Sequence, residues 1–268
     1  MQRAAREQRK WSLVTDDLVS VLLMTTRPST PTVRSPAPTR RSAPEAAGRR
    51  LTGPLVALLL AAGLVVVTAS VVQGGASARL DDLVYALTPG RDNGPAGPDL
   101  LALGIVHLAT PALTVAALIA VATVLSGRVG GRGPLVVAGP ALAVLTVTVL
   151  LGKAVIPRGA PGYGQQVLSD SGSYPSGHTA TALICAGVLA EIVSRLHPAR
   201  RARAWLAAGA WTLIVAAALL WEHFHWLSDV VGSMFLGTLV LWLLLRWPLQ
   251  LGERVAPRRR HGDGSSAR

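Results

Sequence analysis

Six apolar blocks, each of about twenty residues, commit this chain to a lipid bilayer, because about 20 apolar residues at about 1.5 Å each cross about 30 Å of hydrocarbon. They run approximately from Leu51 to Val72, Leu100 to Leu125, Pro134 to Gly152, His178 to Leu196, Ala204 to Glu222, and Asp229 to Trp247. In lipid every backbone N–H and C=O must find an internal partner, so blocks of this length span as helices. The pattern predicts an all-α fold, a six-span transmembrane helical bundle. Pro111 and Pro140 fall inside blocks, where neighbouring spans can satisfy the freed backbone groups. Composition agrees: 15% of residues are charged and mean hydropathy is +0.43, against about 25% charge in soluble domains.

The net charge of +12 is almost wholly arginine and gathers in the two tails and in short links between blocks. Arginine beside spans is a topology signal, which explains the basic balance without nucleic acid. Residues 1–50 are rich in Arg, Pro, Ser and Thr and poor in apolar residues, as expected of a disordered cytoplasmic tail. Residues 51–248 form the membrane domain and 249–268 a second basic cytoplasmic tail. The Leu18 to Leu23 patch is too brief for a cleaved signal, and the change in character after it suggests that translation starts at Met24.

Arg128 with Arg132, the Arg195 to Arg203 cluster, Arg254 and Arg258 to Arg260 fall on the same side as the N-terminal tail. That side is expected to be cytoplasmic. The outer side then holds the Gly74 to Asp99 loop, the Lys153 to Gly177 loop and the connection around His225. Trp205 and Trp247 near inner ends, and Trp221 and Trp226 near outer ends, fit interfacial belts. Cys185, the single cysteine, lies in an apolar block and reads as a small buried hydrophobe.

Three outer segments carry candidate chemistry. Tyr174-Pro175-Ser176-Gly177-His178-Thr179 opens the fourth span, and the free N–H groups of a helix start attract anions. Ser176 can cap that helix or donate to phosphate, and Gly177 admits a ligand close to the backbone. His225-Trp226-Leu227-Ser228-Asp229 follows the fifth span. A helical turn there puts Asp229 on the face of His225, where a carboxylate fixes the imidazole tautomer and leaves the other nitrogen nucleophilic. An interfacial histidine beside a capping aspartate is the plainer alternative. His223 and His225 stand two apart, a spacing that suits no helical chelate, and no metal site is expected. In the third segment, Lys153 to Pro161, the cations Lys153 and Arg158 oppose the positive-inside trend, which points to an anionic ligand.

Together these residues resemble the type 2 phosphatidic acid phosphatase family of membrane lipid phosphatases, relatives of the vanadium haloperoxidases. That family has a first motif of lysine, six residues, Arg-Pro; a second of Pro-Ser-Gly-His; and a third of Ser-Arg, five residues, His, three residues, Asp. Lys153 and Pro161 match the first, Pro175 to His178 the second, and His225 with Asp229 the third. The resemblance runs from about Ala78 to Trp247 and includes Leu80-Asp81. It departs at Ala160, in the first motif's arginine position, and at Ala217-Ala218, set against the third motif's Ser-Arg, so that Ala218 stands for its arginine.

The resemblance implies cofactor-free, metal-independent hydrolysis of a phosphomonoester or diphosphate. His225 is the expected nucleophile, Asp229 its orienting partner and His178 the acid. Lys153, Arg158, Ser176 and Gly177 are the expected phosphate ligands. The expected partners are membrane lipids and a lipid phosphate, of the phosphatidic acid or polyprenyl diphosphate type. With two arginines replaced, the alternative is a silent relative that binds lipid phosphates or a membrane partner. A transporter is disfavoured because no span carries paired acidic residues; His107 is expected to bond a neighbouring span.

Overall fold

The structure is a computed structural model describing residues 43–88, 97–129, 133–161 and 172–246, with only the backbone course given for 43–52, 128 and 129. Most of the expected N-terminal tail, the Met24 start, Arg132, Trp247 and the C-terminal basic tail lie outside the described residues. Residues Ala47–Arg268 form one compact unit, which holds the candidate site.

Eight α-helices occur among the described residues: α1 Ala43–Gln73, α2 Ala76–Leu87, α3 Gly97–Leu108, α4 Pro111–Val129, α5 Gly133–Val155, α6 Gly177–Leu196, α7 Arg201–Trp221 and α8 Leu227–Arg246. Five are long and apolar enough to cross a membrane, within α1, α5, α6, α7 and α8. The expected continuous second span, Leu100 to Leu125, is broken: α3 and α4 meet at 55°, and the count reaches six only when the pair is taken as one span. The break has a local cause. A proline ring forces the preceding residue out of the helical region and removes an N–H, and Thr110 turns back to the His107 carbonyl at 3.1 Å just before Pro111. Pro140, by contrast, is carried within α5.

Helix α6 is the centre of the bundle, packing on α4, α5, α7 and α8. Ala180, Ala182, Ile184, Cys185, Val188 and Ile192 are all buried along it, as expected of a helix that is apolar on every side. α1 instead exposes Leu58, Leu59, Val65 and Val66 at 61–67%, a surface suited to lipid. Three span hydroxyls are satisfied locally: Thr123, Thr146 and Thr148 donate to carbonyls four residues back.

α2 is two-faced. Leu80, Leu83 and Leu87 are more than half exposed, while Asp81 is 2% exposed on the opposite side, against α8. α2 therefore brings a buried carboxylate to the beginning of α8.

Candidate active site

Ser176 is the N-cap of α6, and its Oγ accepts from the Thr179 amide at 3.3 Å and the Thr179 hydroxyl at 3.1 Å. Both bonds use the oxygen as acceptor, so the hydroxyl retains its own proton to donate. The Ser176 amide donates to the Asp229 carbonyl at 3.3 Å, and the Ser233 hydroxyl lies 2.7 Å from that carbonyl and 3.0 Å from the Ser176 carbonyl. These bonds tie the start of α6 to the start of α8. His178 sits in the first turn of α6, within electrostatic reach of His225 and Lys153.

His225 stands in the tight connection between α7 and α8. Its Nδ1 lies 3.3 Å from Oδ2 of the fully buried Asp229, which also accepts the Trp226 amide at 3.1 Å. An ionised carboxylate only accepts, so Nδ1 is the protonated nitrogen and Nε2 keeps the lone pair. The i,i+4 placement expected from the sequence is present.

Lys153 lies in the last turn of α5, and its ammonium donates to the Gly172 carbonyl at 2.6 Å. One of its three protons is used there. A Cβ on Gly177 would lie 4.0 Å from the Lys153 side chain, so the cation flanks the start of α6. Gly172 itself has no room for a side chain, since a Cβ would collide with the Ile156 carbonyl. The Ser173 amide donates to the Arg158 carbonyl at 2.7 Å, holding the two strands of this loop together.

Arg158, expected from the sequence as a phosphate ligand, also engages two buried carboxylates. Its NH1 group donates to Asp229 Oδ1 and to the Ser228 hydroxyl, each at 2.7 Å, and NH2 donates to Asp81 Oδ2 at 2.7 Å. The guanidinium also lies 5.4 Å from the centre of the Trp226 ring, whose indole N–H donates to the Gly159 carbonyl at 2.9 Å. Two of its five N–H protons remain for a ligand.

Asp81 and Ser228 are the site residues that sequence reasoning missed as participants. Asp81 accepts the Ser228 amide at 2.8 Å and the Ser228 hydroxyl at 2.7 Å, besides Arg158. The available signal was an acid set opposite the Leu80, Leu83, Leu87 stripe. Tyr174 is hydrogen-bonded to Thr68 of α1 at 2.7 Å; burial raises its phenol above the ordinary value, so it stays protonated.

The register of the third motif needs a correction. Counting five residues back from His225 places its Ser-Arg on Ala218 and Leu219, so Leu219, and not Ala218, occupies the arginine position. Both are buried in an apolar cluster with Ala102, Val106, Ala182 and Val215. Apolar packing replaces that guanidinium. His223 is turned away toward α2, with φ of 54°, its ring stacked on Tyr85 and its Nε2 2.8 Å from the Thr88 hydroxyl. His107 bonds the Leu103 carbonyl of its own helix at 2.8 Å, where a neighbouring span was expected. A shallow cleft borders His225, with Tyr85, Thr88, Pro161 and Trp226 in its wall. Among the described residues, no three His, Cys, Asp or Glu side chains are grouped to hold a metal ion.

The bundle, with five to six helices long and apolar enough to span a bilayer, defines a multi-pass membrane protein. Residues 136–253 match the model of the PAP2 superfamily. It is also similar to the crystal structure of a transmembrane PAP2 type phosphatidylglycerolphosphate phosphatase from Bacillus subtilis. The two share 20% identity and a TM-score of 0.59, over 76% of this chain and 98% of that one. No curated protein matches the sequence.

Proposed function

We propose that the protein is a metal-independent phosphatase acting on a lipid phosphate or polyprenyl diphosphate through a phosphohistidine, with His225 as nucleophile. The observation that supports this reading best is the Nδ1 contact of His225 with Asp229, which leaves Nε2 with its lone pair. Nε2 attacks phosphorus, the bond to the leaving oxygen breaks, and His178 gives that oxygen its proton. The phosphorylated ring, still protonated at Nδ1, carries a positive charge beside Asp229. Water then attacks phosphorus and loses a proton to His178, while the P–N electrons return to His225.

Lys153, the start of α6 at Gly177 and the Ser176 hydroxyl supply donors for the phosphoryl oxygens, where charge must be met. Arg158 keeps two N–H groups for the same purpose. By the distribution of arginines, both termini are cytoplasmic and the site faces outward, at the level where a lipid presents its headgroup.

A second reading, a binding protein without turnover, draws on Leu219 in the arginine position and on the engagement of Arg158 by two carboxylates. One assay separates them. Purified protein in detergent with chelator is given phosphatidic acid, phosphatidylglycerol phosphate and a long-chain polyprenyl diphosphate, and phosphate release is compared with that of His225→Ala. Release by wild type alone supports the phosphatase and ranks the lipids. Lipid binding without release from a folded protein overturns it in favour of the second reading.

A further inference from the structure

Asp81 belongs to α2, ahead of the segment that matches the PAP2 superfamily, yet it completes the site. It is 2% exposed and takes three hydrogen bonds of 2.7–2.8 Å, one from Arg158 and two from Ser228. Arg158 in turn divides its guanidinium between Asp81 and Asp229, both at 2.7 Å. The three ion-paired side chains therefore sum to one net negative charge, two carboxylates against one guanidinium. Lys153, the other cation near Asp229, has its ammonium on the Gly172 carbonyl and stands outside this set.

We propose that Asp81 is a positioning residue that keeps Arg158 from neutralising Asp229, leaving a net negative charge to stabilise the cationic phosphorylated ring of His225. The inference rests on the phosphohistidine reading. With Asp81 present, the single positive charge of Arg158 is divided between two carboxylates, and Asp229 retains part of its charge for His225. Without it, Arg158, already 2.7 Å from Asp229, balances that carboxylate alone, and the positive charge formed on the ring meets no excess anion among these side chains. Coulomb energies at such distances are several-fold larger in a partly desolvated site than in water, so the loss falls on the step in which that charge appears. Asp81 also fixes the backbone N–H of Ser228, the residue directly before Asp229, and so helps set where that carboxylate begins.

The test compares wild type, Asp81→Asn and Asp81→Glu as full-length protein in proteoliposomes, with phosphatidic acid as substrate. Asparagine matches the size of Asp81 and removes its charge. The expected result is a fall in kcat of about 10²- to 10³-fold for Asp81→Asn with KM nearly unchanged, as for the loss of one electrostatic contribution to a transition state. Asp81→Glu recovers part of kcat. An unchanged kcat for Asp81→Asn, or equal losses in the Asn and Glu variants, overturns the proposal. A second arm needs no turnover: ring ¹⁵N NMR of labelled histidine, assigned through His225→Ala. The Nδ1 resonance of His225 is expected to move in Asp81→Asn and to stay in Asp81→Glu. No movement in Asp81→Asn overturns the charge assignment whatever the substrate, whereas movement without phosphate release from wild type leaves the charge assignment standing and removes the phosphatase reading.

Discussion

Arg158 holds Asp229 at 2.7 Å with its NH1 group, on the carboxylate oxygen opposite the one that faces His225. The aspartate that faces the imidazole is thus shared between Arg158 and His225. Arg158 reaches this position because the Lys153 to Pro161 segment folds back on Gly172 and Ser173, which a side chain at residue 172 would prevent. The two carboxylates it joins are 2% and 0% exposed and would face the interior without this cation.

Removing that guanidinium is therefore expected to cost stability as well as rate. Arg158→Ala leaves two buried carboxylates without their cation, and breaking a buried pair from one side typically costs about 3–5 kcal/mol. Arg158→Lys restores charge but not the fork that spans Asp81, Ser228 and Asp229. Thermal unfolding in detergent should show Ala lowest, Lys intermediate and wild type highest. A wild-type midpoint for Arg158→Ala would mean that the two carboxylates do not depend on this pairing.

The two histidines are expected to act as a unit. His178→Ala should lower kcat by about 10² to 10⁴, the range for a positioned acid, and His225→Ala should abolish phosphate release. The double variant should be no worse than His225→Ala, because groups serving the same steps do not contribute additively. Full activity in His225→Ala would remove the nucleophile assignment.

Restoring the family's arginine is expected to fail here. Leu219 is fully buried among Ala102, Val106, Ala182 and Val215, so Leu219→Arg places an unpaired cation in an apolar cluster. The expected cost is several kcal/mol, about 3–5 if it resembles a broken buried pair. Ala218→Arg adds overpacking, for which about 1–3 kcal/mol is typical. Both variants should unfold earlier than wild type and release no more phosphate. A gain in kcat/KM for Leu219→Arg would show that the cluster opens to admit the side chain, and that the site is a weakened version of the family's.

What the sequence conveyed, and what it withheld, follows from the range of the interactions. The spans were legible because lipid demands about 20 apolar residues in a row, and the His225–Asp229 pair because four residues make one helical turn. The break at Pro111 was not read, since a proline inside an apolar block is compatible with either a continuous or a divided span; Pro140 lies within a helix and Pro111 begins one. The role of Asp81 was hidden for another reason. It meets Ser228 across 147 positions, and no local pattern reports a contact at that separation. Arg158 was identified as a site residue, but its carboxylate partners come from two other elements, so its pairing with them was not read.

The outward placement proposed for the site is open to a direct chemical test. Cys185 is buried and gives little background with a membrane-impermeant thiol reagent, so single cysteines elsewhere report sidedness. Asp82 is exposed on α2, next to the buried Asp81, and Arg203 is exposed at the start of α7 within the cluster expected inside. Asp82→Cys should be labelled on intact cells, and Arg203→Cys only after the membrane is permeabilised. Each lies on a helix surface, so neither replacement disturbs the core. The reverse pattern would place α2, Asp81 and with them His225 on the cytoplasmic face, and would mean that the arginine clusters do not set the orientation of this bundle.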